Sequence, residues 1–456
     1  MGGRAGLGAV TRRDLVLPVL GAGILAMVAG GLAQRLPGDA GGMEPDRTAR
    51  YIGFACAAGV LYAGAVWRVG RISGGALPVV LVLALAMRLL TFASPPLLST
   101  DIYRYVWDGR VQAAGINPYL YLPAAPELRG LRDEGTAATA VYPHINRAYY
   151  APTIYPPVAQ ALFALVGVGW PTIWGMKAVM LAFDLLGIGA ALALLRLARQ
   201  PAERVLILAW NPLVVWEFAG GGHIDAAAVG FVGLALVLAA RRSRALAGLA
   251  LGAAVLCKLL PAALFPAVWR RWDLRTPLAA GGLIAVSYAC YAGAGWRVLG
   301  YLPGYASEEG LGSGGGFLLL RLAAAAGPLP AWAGVAYGAT AAVGLVALAA
   351  WIGLRGPLPE AAGDRAVLMC RDAVWLTMAS MFALSPHYAW YLTALAVPCV
   401  LAPSRPALWL MGAAPVLYLD DRLMQAAAPA VVFLPAAGLV VFDVIRHRMR
   451  RGALPA

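Results

Sequence analysis

Residues 76–110 read "ALPVVLVLALAMRLLTFASPPLLSTDIYRYVWDGR". From Ala76 to Ala93 the run is apolar except for Arg88 and Thr91. Pro95 and Pro96 then break it, and Asp101, Arg104, Asp108 and Arg110 follow among Tyr103, Tyr105 and Trp107. A helix needs about 20 apolar residues to cross a bilayer core, and a proline pair cannot continue one. The stretch therefore reads as a membrane helix that delivers a charged, aromatic segment to the membrane boundary.

The rest of the 456-residue chain repeats the alternation. It is 61% apolar and 13% charged, with a mean hydropathy of +0.72, where a soluble protein carries about 25% charged residues. Apolar runs at about 15–34, 51–67, 76–93, 173–197, 205–219, 222–240, 277–294, 330–353, 367–384, 388–402, 407–419 and 425–445 make about twelve candidate crossings of an all-α polytopic membrane protein, a single domain over 1–456. The run from Leu15 to Gln34 is longer than a signal-peptide core and reads as the first crossing.

The net charge of +14 does not point to nucleic acid. Its arginines fall in short clusters between apolar runs: Arg4, Arg12 and Arg13; Arg68 and Arg71; Arg196, Arg199 and Arg204; Arg241, Arg242 and Arg244; Arg270, Arg271 and Arg275; Arg355 and Arg365; Arg405; Arg446, Arg448, Arg450 and Arg451. Under the twelve-crossing count all lie on one face, which the positive-inside rule makes cytoplasmic. The loop 95–156, the "GGGHID" turn at 220–225, the glycine-rich loop 295–315 and "SPHYAWY" at 385–391 then emerge on the outer face.

Two apolar stretches do not fit as crossings. Residues 245–268 have basic loops at both ends and carry Lys258 and Pro261 near the middle. They read as a broken hairpin entered from the cytoplasmic side, or as one kinked helix that violates the charge rule. On the hairpin reading Lys258 pairs with a polar group or with backbone carbonyls and takes no direct part in the chemistry. Residues 157–169 are too short for a comfortable span and read as re-entrant or interfacial. The five cysteines all lie in apolar segments without metal-site spacing and read as packing residues.

Asp101 is the first candidate for chemistry, since a carboxylate at the boundary can take a proton from a hydroxyl. Tyr103, Arg104 and Trp107 flank it with a phosphate-binding fork and sugar-stacking rings; the competing reading is an interfacial aromatic belt. Asp108 lies two helical turns on, and an ion shared with Asp101 is weakly suggested. Arg88, inside a membrane helix, is a functional candidate by its cost, with phosphate as partner or snorkelling as the alternative. His144, Asn146 and Arg147 stand in a proline-ordered loop and can reach a polar ligand. His223 follows a triple glycine, and Asp225 can cap the helix after it. His387 and Tyr388, in the last outer turn, can meet a phosphate or hydroxyl.

In their order, "STDIYRYVWDGR", "GINPY", "YPP", "NPL…GGGHIDA", "CKLLP" and "SPHYAWY" resemble the lipid-linked C-type glycosyltransferases. The likeness is greatest to the bacterial polyprenol-phosphate-mannose-dependent mannosyltransferases and the first mannosyltransferases of GPI-anchor synthesis. The resemblance implies a C-type fold with a large first outer loop, seated in the bacterial inner membrane with its active site on the periplasmic or exterior side. It implies inverting transfer of a hexose, mannose above all, from a polyprenyl-phosphate donor to a lipid or glycan acceptor. Asp101 would be the base, with His387 and Arg104 at the donor phosphate. The chain's small outer part leaves acceptor recognition to loops 95–156 and 295–315. A flippase of lipid-linked sugars, which needs polar residues through the midplane, and an envelope scaffold are the alternatives.

Overall fold

The computed structural model describes residues 15–36, 38–70, 75–133, 139–419 and 427–452, with side chains as far as residue 446. Arg4, Arg12, Arg13 and Arg71, and the side chains of Arg448, Arg450 and Arg451, lie outside the described residues. Within them all regular structure is helical.

The first half contains α1 (Val16–Leu32), α2 (Pro45–Val69), α3 (Leu77–Phe92), α4 (Asp101–Ala113), α5 (Pro157–Gly169) and α6 (Ile173–Leu197). Two short helices follow, α7 (Leu206–Ala209) and α8 (Pro212–Val214), then a π-helical turn at Val215–Gly220, α9 (Asp225–Ala240) and α10 (Arg244–Cys257). The second half is built on the helices Arg275–Ala289, Leu302–Glu308, Ala333–Leu354, Ala362–Leu384 and Ala427–Gly452. Val60, Val82, Val343, Val346 and Trp351 remain exposed on helix faces, an apolar perimeter suited to hydrocarbon.

Five described helices are long and apolar enough to span a membrane: Pro45–Val69, Ile173–Leu197, Ala333–Leu354, Ala362–Leu384 and Ala427–Arg446. Two bent pairs raise the number to seven if each is one span, Pro212–Gly220 with Asp225–Ala240 at 117° and Arg275–Ala289 with Ala292–Glu308 at 111°. The remaining apolar runs of the twelve expected are shorter or broken. Helix α3 has 16 residues, and 388–402 holds a 3₁₀ turn, Ala389–Leu395, and the four-residue helix Ala396–Cys399. Hydropathy counts apolar residues and is blind to such breaks. Asn211, for example, ends one helix and caps the next, accepting from Leu213 N at 3.0 Å and Val214 N at 3.4 Å.

The break expected near Pro261 is present. Helix α10 stops at Cys257 and Lys258 is extended (φ −155°, ψ 141°). A helix continued through Pro261 would drive its ring into the carbonyl of Cys257, four residues back. Likewise α5, at 13 residues, rises only about 20 Å. It packs on α4 by backbone contact: a Cβ on Gly109 would lie 2.2 Å from the Phe163 carbonyl oxygen, and one on Gly167 2.1 Å from that of Gly109.

Helix α3 is gripped by α6 through two charges. Arg88, fully buried, donates from Nε to Asp184 Oδ2 at 2.7 Å and from Nη2 to Oδ1 at 3.1 Å, and from Nη1 to the carbonyls of Ala84 (3.1 Å) and Ala209 (2.7 Å). Two turns earlier on α6, Lys177 Nζ donates to the carbonyls of Thr91 (3.0 Å), Phe92 (2.9 Å) and Ser94. It thereby caps the exposed carbonyls and the negative dipole end of α3. Arg88 thus has neither of its expected roles, since its guanidinium is fully engaged within the bundle and does not snorkel. Removing one partner strands a buried charge, at a cost of about 3–5 kcal/mol. Arg88→Ala is expected to lower the unfolding temperature of the detergent-purified protein sharply. The double variant Arg88→Met/Asp184→Leu should recover most of that loss in the same melting experiment.

Candidate active site

The loop after α4 is ordered by polar contacts that reach back to the helix. Asp108, buried, accepts from Arg104 Nε (2.8 Å), Thr153 Oγ1 (2.5 Å) and Gln160 Nε2 (2.9 Å). Arg104 also donates to the Ala151 carbonyl at 3.0 Å, and the Tyr119 hydroxyl to that of Tyr155 at 2.6 Å. Burial alone would raise the pKa of Asp133; the backbone N–H groups of Tyr142 (2.8 Å) and Val141 (3.0 Å), with Arg110 at 3.0 Å, hold it below the ordinary value. Trp107 packs on Tyr142, and Tyr103 on His144, with ring centroids 5.5 and 5.0 Å apart.

This frame surrounds a cavity of about 960 Å³, at the upper end of the usual range for small-molecule sites, roughly 300–1,000 Å³. Its walls come from segments far apart in sequence: Asp101, Arg104, Asn146 and Arg147; Lys258; Tyr301, Tyr305, Glu308, Glu309 and Arg321; His387, Tyr388, Trp390 and Tyr391. Asp101 is the first residue of α4, at the positive end of the helix dipole. Its Oδ1 accepts from Asn146 Nδ2 at 3.0 Å.

The other charges on the wall are tied down. Glu308 accepts from Arg147 Nε at 2.7 Å and from the Tyr301 hydroxyl at 2.8 Å. Lys258 donates to Asp225 at 2.7 Å and sits 4.2 Å from the centre of the Tyr391 ring. His387 Nδ1 is 3.1 Å from Glu309 Oε2, and its Nε2 is 3.1 Å from Arg321 Nη1. Ser385, in the left-handed region (φ 45°), closes the helix Ala362–Leu384, and Pro386 prevents its resumption; this turn points "SPHYAWY" at the cavity. Tyr388 stacks on Trp390 at 4.5 Å, and Trp390 on His223 at 4.3 Å.

Of the residues singled out in the sequence, the cavity gathers Asp101, Arg104, Asn146, Arg147, His387 and Tyr388. Arg88, Tyr103, Trp107, Asp108, His144, His223 and Asp225 are not on its wall. Tyr103, Trp107 and His144 hold the loop to α4, and Asp225 holds Lys258. His223, buried, lies 3.4 Å from Glu217 Oε2 behind Trp390. Lys258 is a correction in the other direction: the tip of its broken helix reaches the same cavity as Asp101. Sequence reasoning missed Arg321 and Glu309. The signal for Arg321 was a lone cation in the apolar stretch "FLLLRLAAAAG" at 317–327.

The residues present do not fit an ion shared by Asp101 and Asp108. The oxygens of Asp108 are occupied by Arg104, Thr153 and Gln160. Among the described residues no group of three or more His, Cys, Asp or Glu side chains converges. Asp108 is a structural hub instead. Asp108→Ala should cost about 3–5 kcal/mol by leaving Arg104 buried without its partner, read as a fall in the melting temperature, with Asp108→Asn milder.

No curated protein and no solved structure matches the chain. Residues 7–273 match the family model described as alpha-(1->6)-mannopyranosyltransferase, N-terminal domain. The match takes in Asp101, the "GGGHID" turn and Lys258, and covers more than half of the sequence. Among the described residues, regular structure that is all helical, with five to seven helices or bent pairs long and apolar enough to span a membrane, is in keeping with it, and the chain belongs to this family of C-type mannosyltransferases.

Proposed function

We propose that the protein transfers mannose from a polyprenyl-phosphate donor to a lipid or glycan acceptor, with inversion at the anomeric carbon and Asp101 as general base. The observation that carries this reading is the state of Asp101. Three carboxylates line the cavity, Asp101, Glu308 and Glu309. Glu308 is spent on Arg147 and Tyr301, and Glu309 on His387. Among the described residues Asp101 alone of the three has a neutral amide, Asn146, as its partner. A base needs a free lone pair aimed at the acceptor hydroxyl, and the second oxygen of Asp101 is available for it.

The acceptor oxygen, losing its proton to Asp101, bonds to the anomeric carbon as the bond from that carbon to the phosphate oxygen breaks. The electron pair leaves on the phosphate, which needs no proton and is stabilised by cations on the wall. Inversion turns a β-linked donor into an α-linked product, the anomer in the family's description, and we extend the α-(1→6) linkage to this chain on that basis. Tyr301, Tyr305, Tyr388 and Tyr391 offer the rings and hydroxyls that sugar faces favour.

In this reading the chain crosses the bacterial inner membrane about twelve times, the short and broken helices included, with the cavity facing outward. Three of the four segments assigned to the outer face by charge (95–156, 295–315 and 385–391) line one cavity, and the fourth, 220–225, lies behind it. That convergence supports a common side. Against the flippase alternative, the charges within the bundle, Arg88, Asp184 and Lys177, are spent on one another and on helix carbonyls and do not line the cavity.

The test is mannose transfer from radiolabelled polyprenyl-phosphate-mannose to membrane lipids and glycans by protein reconstituted in vesicles. Asp101→Asn is expected to lower kcat at least about 100-fold, as for a lost general base, with little change in donor KM. Wild-type activity in Asp101→Asn would eliminate this base. Asn146→Ala frees the carboxylate to rotate and should lower kcat by about ten- to a hundredfold at a nearly constant KM; equal loss of melting temperature and activity would assign Asn146 to folding alone.

A further inference from the structure

The cations that line the cavity are cancelled in pairs, with one exception. Arg104 is paired with Asp108 at 2.8 Å, Arg147 with Glu308 at 2.7 Å and Lys258 with Asp225 at 2.7 Å. Arg321 forms no ion pair with a carboxylate among the described residues. Its described side-chain partner is a ring nitrogen, His387 Nε2, at 3.1 Å from Nη1.

Donor and acceptor inventory fixes the state of that histidine. A guanidinium carries only N–H donors, so Nε2 must accept. The ring proton is then on Nδ1, which donates to Glu309 Oε2 at 3.1 Å. The chain Glu309–His387–Arg321 therefore holds a neutral imidazole in one tautomer and fixes the guanidinium without cancelling its charge. A half-buried cation left uncompensated in a cavity wall is costly until an anion arrives. The planar fork of arginine matches the oxygens of a phosphate.

We propose that Arg321 receives the phosphate of the polyprenyl-phosphate sugar and stabilises it as it leaves, with His387 and Glu309 as positioning residues; the assignment rests on the donor reading given above. As the bond between the anomeric carbon and the phosphate oxygen breaks, the oxygen keeps the electron pair, and the charge of Arg321 meets it. This reassigns both groups that the resemblance placed at the phosphate. Arg104 is neutralised by Asp108 and buried against Ala151, and His387 turns a lone pair, not a proton, towards Arg321.

Binding separates this proposal from the reading it rests on. The probes are a radiolabelled polyprenyl monophosphate and the corresponding polyprenol, each titrated into the full chain in lipid nanodiscs. The wild type is expected to prefer the phosphate by about tenfold or more, the size of a charge-assisted contact. Arg321→Gln should lose that preference and Arg321→Lys keep part of it. Arg405→Gln, an exposed pair with Asp443 on other helices, should leave it intact. His387→Gln can still accept from Arg321 and donate to Glu309, so it should bind phosphate better than His387→Ala by several-fold at equal melting temperature, a rescue that packing alone would not give. A preference retained in Arg321→Gln overturns the assignment while leaving the donor reading in place. Equal binding of phosphate and alcohol by the wild type overturns both.

Discussion

The grip of α6 on α3 is the constraint on which the rest of the site depends. Asp184 takes the guanidinium of Arg88, and Lys177 takes the carbonyls at the end of α3. Two turns separate the two charges on α6, while about one turn separates Arg88 from Phe92 at the end of α3, and the two contacts together lock both elements in a single register. The chain leaves α3 at a fixed height, Pro95 and Pro96 turn it, and five residues later Asp101 opens α4. In an apolar bundle the pairing cannot slip by a residue without stranding a charge, which makes it a device of position as much as of stability.

The cavity is built on the same economy. Most of its ionic groups are compensated by a carboxylate: Arg147 by Glu308, Lys258 by Asp225, and Arg104 by Asp108 one turn on along α4. The first two pairs join stretches that hydropathy alone would leave as separate connections. What remains without a direct ion pair is two carboxylates, Asp101 and Glu309, and a cation, Arg321: Asp101 is steadied by the neutral Asn146, and the neutral His387 stands between Glu309 and Arg321. A group-transfer site needs such residues, because a carboxylate in an ion pair is a poor base and a guanidinium in an ion pair a poor phosphate receptor. The stack His223–Trp390–Tyr388 supports the wall from behind.

The membrane class, the helical content, the break at "CKLLP" and the short helix at 157–169 were legible in the sequence, and Asp101, singled out there, lies on the cavity wall. They rest on local chemistry: apolar length, proline, and a charge placed where hydrocarbon ends. The pairings were not legible. Lys177 and Asp184 lie inside an apolar run and pass unnoticed until their partners on α3 are seen, and Arg88, expected at a phosphate or snorkelling to the interface, proves to be the counterpart of Asp184. Lys258 was set aside because its flanking loops are basic, and Arg321 was missed because a lone arginine among leucines gives no direction.

The sequence by itself determined which segments seek hydrocarbon and where the chain must break, since each follows from the solvation of a short stretch. Only the tertiary structure decided which charges are spent on one another and which are left to act. That depends on distances between residues such as 88 and 184, 225 and 258, or 321 and 387, which packing sets and no local pattern encodes.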